Sequence, residues 1–145
     1  MEAKVSTVLQ HKGDRVITVR PEHTIASVVE VLNANKIGAA PVISEEGRVV
    51  GMVSERDIIR GLGQHAGELL TLPVERLMTR EVTTCSLEDR LVDIMEVMTL
   101  QRIRHLPVIR EGALHGIVSI GDVVKQRLEE VQSEVEDLHR YIRSP

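Results

Sequence analysis

The chain has 145 residues, 42% apolar and 28% charged, with a formal charge of −4; this fits one compact domain or two small units sharing a core. No apolar run approaches the roughly 20 residues that span a bilayer, and the start, MEAKVSTVLQHKGD, lacks the core and cleavage site of a secretory signal, which points to the cytoplasm. Negative charge and the near absence of aromatic side chains, Tyr141 alone, argue against nucleic-acid binding, and a single cysteine, Cys85, excludes an internal disulfide.

In chain order, VSTVL (5–9) is an apolar lead-in and Val16–Val19 a short β-rich stretch. Thr24 is placed to cap a helix. Its apolar residues Ile25, Val28, Val29 and Leu32 fall on one helical face. Ala39–Ile43, a charged turn with Gly47, and Val49–Val53 predict a hairpin, followed by a helix from Ser54. GLGQHAGELLT (61–71), with three glycines, predicts a loop or broken helix. The order then recurs. VERLM (74–78) is the lead-in and Val82–Cys85 the β-rich stretch. A helix carries Leu91, Ile94, Met95 and Met98 on one face. Strands His105–Ile109 and Leu114–Val118 flank Gly112, and a helix starts at Ser119.

This recurrence is a tandem duplication. Residues 16–45 align with 82–111 at an offset of 66, and roughly a third of the positions are identical. After the unpaired Glu46 the offset is 65, and Gly47, Gly51, Val53, Ser54 and Asp57 meet Gly112, Gly116, Val118, Ser119 and Asp122. Each copy is a β-α-β-β-α unit, so the fold class is α/β (α+β) with two repeats related by a pseudo-twofold axis. A unit of roughly 55 residues is marginal alone, whereas two can share a core. The units are 1–66, 67–127 and a tail, 128–145. In the tail region Val124, Leu128, Val131, Val135, Leu138 and Ile142 are spaced 4, 3, 4, 3, 4, a heptad pattern. It suits either an amphipathic helix lying on its own domain or a helix that pairs with a partner copy.

The joint pattern of Gly38-Ala39-Ala40-Pro41-Val42-Ile43 with Gly51-Met52-Val53-Ser54-Glu55-Arg56-Asp57 is repeated by Arg104-His105-Leu106-Pro107-Val108-Ile109 with Gly116-Ile117-Val118-Ser119-Ile120-Gly121-Asp122. It resembles the CBS (cystathionine-β-synthase) domain family over residues 4–127. The resemblance implies a CBS pair, or Bateman module, of the stand-alone kind. Such a module is a non-catalytic sensor that holds an adenine nucleotide (AMP, ADP, ATP or NAD(H)) between its repeats and dimerises.

The residues themselves suit that role. Asp57 and Asp122 can each accept two hydroxyl hydrogen bonds, as an ionised carboxylate offers about four lone-pair sites. The resemblance assigns them the ribose. Ser54 and Ser119 stand near helix starts that favour anions, and Arg56 can pair with phosphate. Gly121 replaces Arg56 in the second copy, which predicts unequal sites, with Arg104 and His105 able to compensate. By resemblance, the strand before each proline reads the base, largely through backbone groups; Ala39-Ala40 and His105-Leu106 occupy that place, and the small Gly38, Ala39 and Ala40 leave room for a ring. Pro41 and Pro107 complete the nucleotide-binding set, and Thr18 and Thr84 lie near the nucleotide. Each assignment has a plainer counterpart. Ser-x-x-Asp is also a helix capping box, Arg56 a solvated charge, His105 a strand residue at a pocket edge, and Thr18 and Thr84 good strand formers.

The six histidines show no paired metal-ligand spacing, and Cys85 fits a small buried hydrophobe better than a redox sensor. No phosphate-cradling Walker loop, nucleophile elbow or dinucleotide fingerprint is present. No metal and no catalysis are therefore expected. The competing reading is a dimeric scaffold with vacant clefts, whose C-terminal helix docks a partner.

Overall fold

The computed structural model describes residues 3–143, so Met1, Glu2, Ser144 and Pro145, at the ends of the first and last predicted units, lie outside the described residues. The elements are α1 (Val5–Lys12), α2 (Ile25–Asn35), β1 (Ala39–Ile43), β2 (Val49–Ser54), α3 (Glu55–His65), α4 (Leu91–Gln101), β3 (His105–Arg110), β4 (Ala113–Ser119) and α5 (Ile120–Arg143). Short 3-10 turns at Ala66–Thr71 and Val74–Arg76 join the repeats. The glycine-rich segment is thus a broken helix. α3 runs through Gly61 and Gly63 and ends where Ala66 takes a positive φ of 47°.

Local chemistry sets the element ends. Thr24 caps α2, its hydroxyl accepting from the Ser27 amide at 3.2 Å. α2 and α4 both end on a left-handed residue, Lys36 (φ 54°) and Arg102 (φ 55°). β1 and β2 pair antiparallel with Ala39 opposite Ser54 and Val42 opposite Gly51. β3 and β4 pair with His105 opposite Ser119 and Val108 opposite Gly116. Each hairpin carries a bulge at the same place, after Val42 and after Val108.

The predicted first strands are much shorter than the sequence suggests. Only Val19 and Cys85 pair, as single parallel bridges to Val42 and Val108. Val19 donates to the Pro41 carbonyl (3.0 Å) and accepts from Ile43 (2.9 Å), and Cys85 does the same with Pro107 and Ile109 (3.0 and 2.9 Å). The preceding rung, to the carbonyl of residue 17 or 83, needs an N–H from residue 41 or 107. Both are proline and have none, so neither ladder runs back along its predicted strand.

The lead-ins change partners. Val5, Val8 and Leu9 of α1 are buried with Cys85, Leu91, Ile94, Leu106, Val118 and Val123 of the second repeat. Leu69, Val74 and Met78, from the segment before the second repeat, are buried with Val19, Ile25, Val28, Val42 and Val53 of the first. Backbone bonds fix both crossings: Val5 donates to Asp89 and Leu91 to Ala3 (2.9 and 3.0 Å), and Ile25 donates to Leu72 and Val74 to His23 (2.9 and 2.8 Å).

This packing explains the glycine that opens each Gly-h-h-Ser motif. A Cβ on Gly116 would lie 2.8 Å from Leu9 Cδ1, and one on Gly51 would lie 2.5 Å from Met78 Sδ. We expect Gly116→Val to lower the unfolding free energy by about 1–3 kcal/mol, the usual cost of overpacking. Gly47→Ala, where a Cβ meets nothing but φ is +82°, should cost less, through backbone strain alone. Thermal and urea unfolding of the two variants checks the ranking.

Candidate functional site

A cleft of about 610 Å³ opens between the repeats. On one side stand Gly38 and Ala39 at the start of β1, Ser54 at the end of β2, and Arg56, Asp57 and Arg60 on the first turns of α3. The connecting segment supplies Thr79, Val82 and Thr83, and the second repeat supplies Gln101, Arg102, Arg104 and His105. The Glu55 amide donates to the Gly38 carbonyl at 2.9 Å, and the Ile120 amide to the Arg104 carbonyl at 2.9 Å. In each repeat this bond ties the entry to a hairpin to the start of the following helix, bringing strand and helix start to one rim.

Among the described residues Asp57 is the one buried charged side chain, 8% exposed. Its Oδ2 accepts from the Ser54 amide (2.9 Å) and the Ser54 hydroxyl (3.1 Å), while its own amide donates to Ser54 Oγ (3.3 Å). The capping box is therefore complete. Oδ1 looks the other way, accepting from the Thr79 hydroxyl at 3.3 Å, with Arg60 Nη1 at 3.8 Å. One oxygen holds the helix start. The other lies at the cleft with only a long hydroxyl contact and a distant guanidinium, so it has room for a further donor.

The second copy of the motif is spent differently. Asp122 Oδ2 accepts from the Ser119 amide (2.9 Å) and from Lys12 Nζ of α1 (2.6 Å), and the Asp122 amide donates to Ser119 Oγ (3.1 Å). Burial alone would raise the Asp122 carboxyl. The hydrogen bonds from Lys12 and Ser119 and the lysine charge outweigh it and hold the carboxyl below its usual range. Around it is a smaller cleft of about 330 Å³, lined by Val8, His11, Lys12, Lys125, Gln126 and Glu129. The two frames are thus chemically unequal. Beyond the exchange of Arg56 for Gly121, a lysine is locked onto the second carboxylate.

Of the sequence-selected residues, the structure brings Gly38, Ala39, Ser54, Arg56, Asp57, Arg104 and His105 to the large cleft. Arg104 and His105 thus line the first motif's cleft. Ala40, Pro41, Leu106 and Pro107 are buried in the hairpins, Thr18 is half-buried and Thr84 exposed, none of them lining either cleft. Ser119 and Asp122 stand at the other frame, Asp122 in the smaller cleft. Sequence reasoning missed Arg60, Thr79, Thr83, Gln101 and Arg102. Arg60, one helical turn beyond Arg56, was readable from its spacing; Thr79, in the connecting segment, carried no signal. Thr83 donates to Gln101 Oε1 at 2.6 Å, tying the connector to the end of α4. Burial pushes the Cys85 thiol up to about 12, with Asp89 adding to the shift, so it stays protonated. Among the described residues no group of three His, Cys, Asp or Glu side chains could hold a metal ion, and no helix is long and apolar enough to cross a membrane.

The family model for the CBS domain matches residues 9–64 and 74–129. The chain belongs to the CBS domain family. It is 34% identical over 130 residues to an uncharacterized 17.7 kDa protein of Acidianus ambivalens, covering 89% of this chain and 76% of that one. A crystal structure of a CBS-domain protein from Agrobacterium tumefaciens superposes with a TM-score of 0.84 at 39% identity, covering 88% of this chain and 95% of that one. A CBS domain protein from Pyrobaculum aerophilum, solved in complex with AMP, superposes with a TM-score of 0.71 at 29% identity, covering 82% and 88%. The two repeats of the sequence are therefore two CBS domains, and the mixed α/β architecture is that of a tandem CBS pair.

His105, at the junction of the two frames, has its pKa lowered from 6.5, first by burial and then by Lys12, with Arg104 adding and Asp122 and Glu55 opposing. The unfolded chain therefore binds this proton more readily than the folded one. Stability from this group is full above pH 6.5 and declines as pH falls through 6.5 towards the folded value. Urea unfolding from pH 8 to pH 5 should show that decline, and His105→Gln should flatten it. Asp122 acts lower: its contribution is present above 3.8 and is lost as pH falls through its depressed folded value. Lys12→Met should therefore destabilise the protein at neutral pH, the gap to wild type closing in strong acid.

Proposed function

We propose that this CBS pair is a non-catalytic regulatory module that binds an adenine nucleotide in the cleft between its repeats and signals through a homodimer. The observation that carries the reading is Asp57: a buried carboxylate, oriented by its own capping box, with one oxygen at a cleft that arginines of both repeats line. The geometry suits a nucleotide in parts. Asp57 Oδ1 accepts the ribose hydroxyls, Ala39 presents backbone to a base once the Glu55 side chain, which lies against Gly38, swings aside, and Arg56, Arg60, Arg102 and Arg104 offer guanidinium forks to phosphate. The Pyrobaculum relative bound to AMP supports an adenine ligand; AMP, ADP, ATP and NAD(H) all contain the adenosine that this division of labour needs.

On this reading the second frame, Ser119 and Asp122, is the weaker position, because a ligand there must first displace Lys12. Thr18 and Thr84 stay outside the binding set, while Ala40, Pro41, Leu106 and Pro107 shape the cleft from the core. A second reading, a dimeric scaffold with vacant clefts, is favoured by the exposed apolar seam of α5.

Thermal-shift titration with AMP, ADP, ATP, NAD, NADH, S-adenosylmethionine and GTP separates the two. Binding to the folded state stabilises by about 2.7 kcal/mol at a hundredfold excess over Kd. We expect a shift for an adenine compound and none for GTP. Asp57→Ala should weaken that ligand about 10–100-fold by calorimetry, the loss of a charged hydrogen-bond acceptor; Asp122→Ala should weaken it far less. No shift with any nucleotide supports the scaffold.

A further inference from the structure

Helix α5 has 24 residues and is about 36 Å long, but only its first turns rest on the body. Val123 is buried, Gln126, Arg127 and Glu130 are half-buried, and every residue from Val131 to Arg143 is exposed. Along it Val124, Leu128, Val131, Val135, Leu138 and Ile142 are 42–69% exposed. A projecting end of about a dozen residues is marginal as an isolated helix in water. A two-position apolar stripe at a 3.5-residue period is the seam of a coiled coil, narrower than the face a helix lays on a globular core. The CBS match ends at residue 129, so most of this seam lies beyond the domain pair.

We propose that α5 pairs with α5 of a second copy of this chain as a short parallel, in-register coiled coil. The proposal deepens the homodimer of the reading above and is independent of what the cleft binds. The flanking residues choose the arrangement. With Leu128, Val135 and Ile142 at one seam position and Val124, Val131 and Leu138 at the other, the seam is flanked by Lys125, Arg127, Gln132, Glu134, His139 and Tyr141. Parallel pairing stacks all six seam residues on their own copies. It sets Glu134 beside His139 of the partner subunit and Arg127 beside Gln132 of the partner subunit, with no like charges facing. An antiparallel pairing that keeps all six sets Glu134 against Glu134 of the partner subunit. A shifted antiparallel pairing matches Arg127 with Glu134 of the partner subunit but leaves Leu138 and Ile142 outside the seam. An exposed ion pair contributes less than covering one large aliphatic side chain, so the shifted form loses.

Light scattering on the full chain tests this. Wild type should have twice the 16.2 kDa chain mass, and Leu138→Glu, a change at a side chain exposed in the single chain, should halve it with thermal unfolding of the body retained. A monomeric wild type, or a Leu138→Glu variant that stays dimeric, overturns the proposal. Leu138→Cys should form an interchain disulfide without added oxidant other than air; a dimer that forms none overturns the parallel register. Nucleotide titration of the monomeric Leu138→Glu variant keeps the two readings apart, since a retained thermal shift locates binding within one chain whatever the fate of the dimer.

Discussion

Leu9 lies on Gly116, and Met78 lies on Gly51. In both contacts a side chain from the segment preceding one repeat rests on the bare backbone of the other repeat's hairpin. Remove either and a hairpin face is left without cover, since a two-stranded sheet is marginal in water without something packed against it. The crossing also fixes the distance between the repeats. The connector that carries Met78 goes on at once to Thr79, Val82 and Thr83, and these line the cleft. The same contact that completes the first core therefore delivers one wall of the site.

Two copies of one motif end in different chemistry because different segments arrive in front of them. Asp57 receives the connector, with a hydroxyl from Thr79; Asp122 receives the end of α1, with the ammonium of Lys12. Both carboxylates also hold their helix starts, so the cap and ligand readings of Ser-x-x-Asp are compatible at Asp57: one oxygen serves each. Capping removes the rotamer freedom that a ligand would otherwise have to freeze, and a carboxylate fixed in this way is organised before anything binds.

Much of this was legible in the residues. The duplication, both hairpins to within a residue at each end, the Thr24 cap and the apolar faces of α2 and α4 all follow from periodicity and capping chemistry. The first strands were overread because β-propensity at Val16–Val19 and Val82–Cys85 is a property of those residues, while pairing depends on the partner strand, and the partner presents a proline. The exchange of lead-ins was invisible. VSTVL and VERLM show an apolar face but not which repeat it meets. For the site, the sequence named Ser54, Arg56, Asp57, Arg104 and His105, yet could not say that the last two face the first three, because that depends on how the repeats are mounted. Lys12 was missed for the same reason: its partner lies 110 positions away.

The exchanged lead-ins also order events during synthesis. The first repeat can close its core as soon as Met78 has been made. Helix α1 is made before either repeat, yet its apolar face has nowhere to go until the second repeat exists; Lys4 and Glu88, which meet beside it, are 84 positions apart. Closing so long a loop is slow compared with forming a hairpin. While the first repeat is being made the chain therefore carries an amphipathic helix whose partner has yet to be translated. The helix made ahead of both repeats thus settles after the first of them, and the second repeat completes its core only by recapturing it.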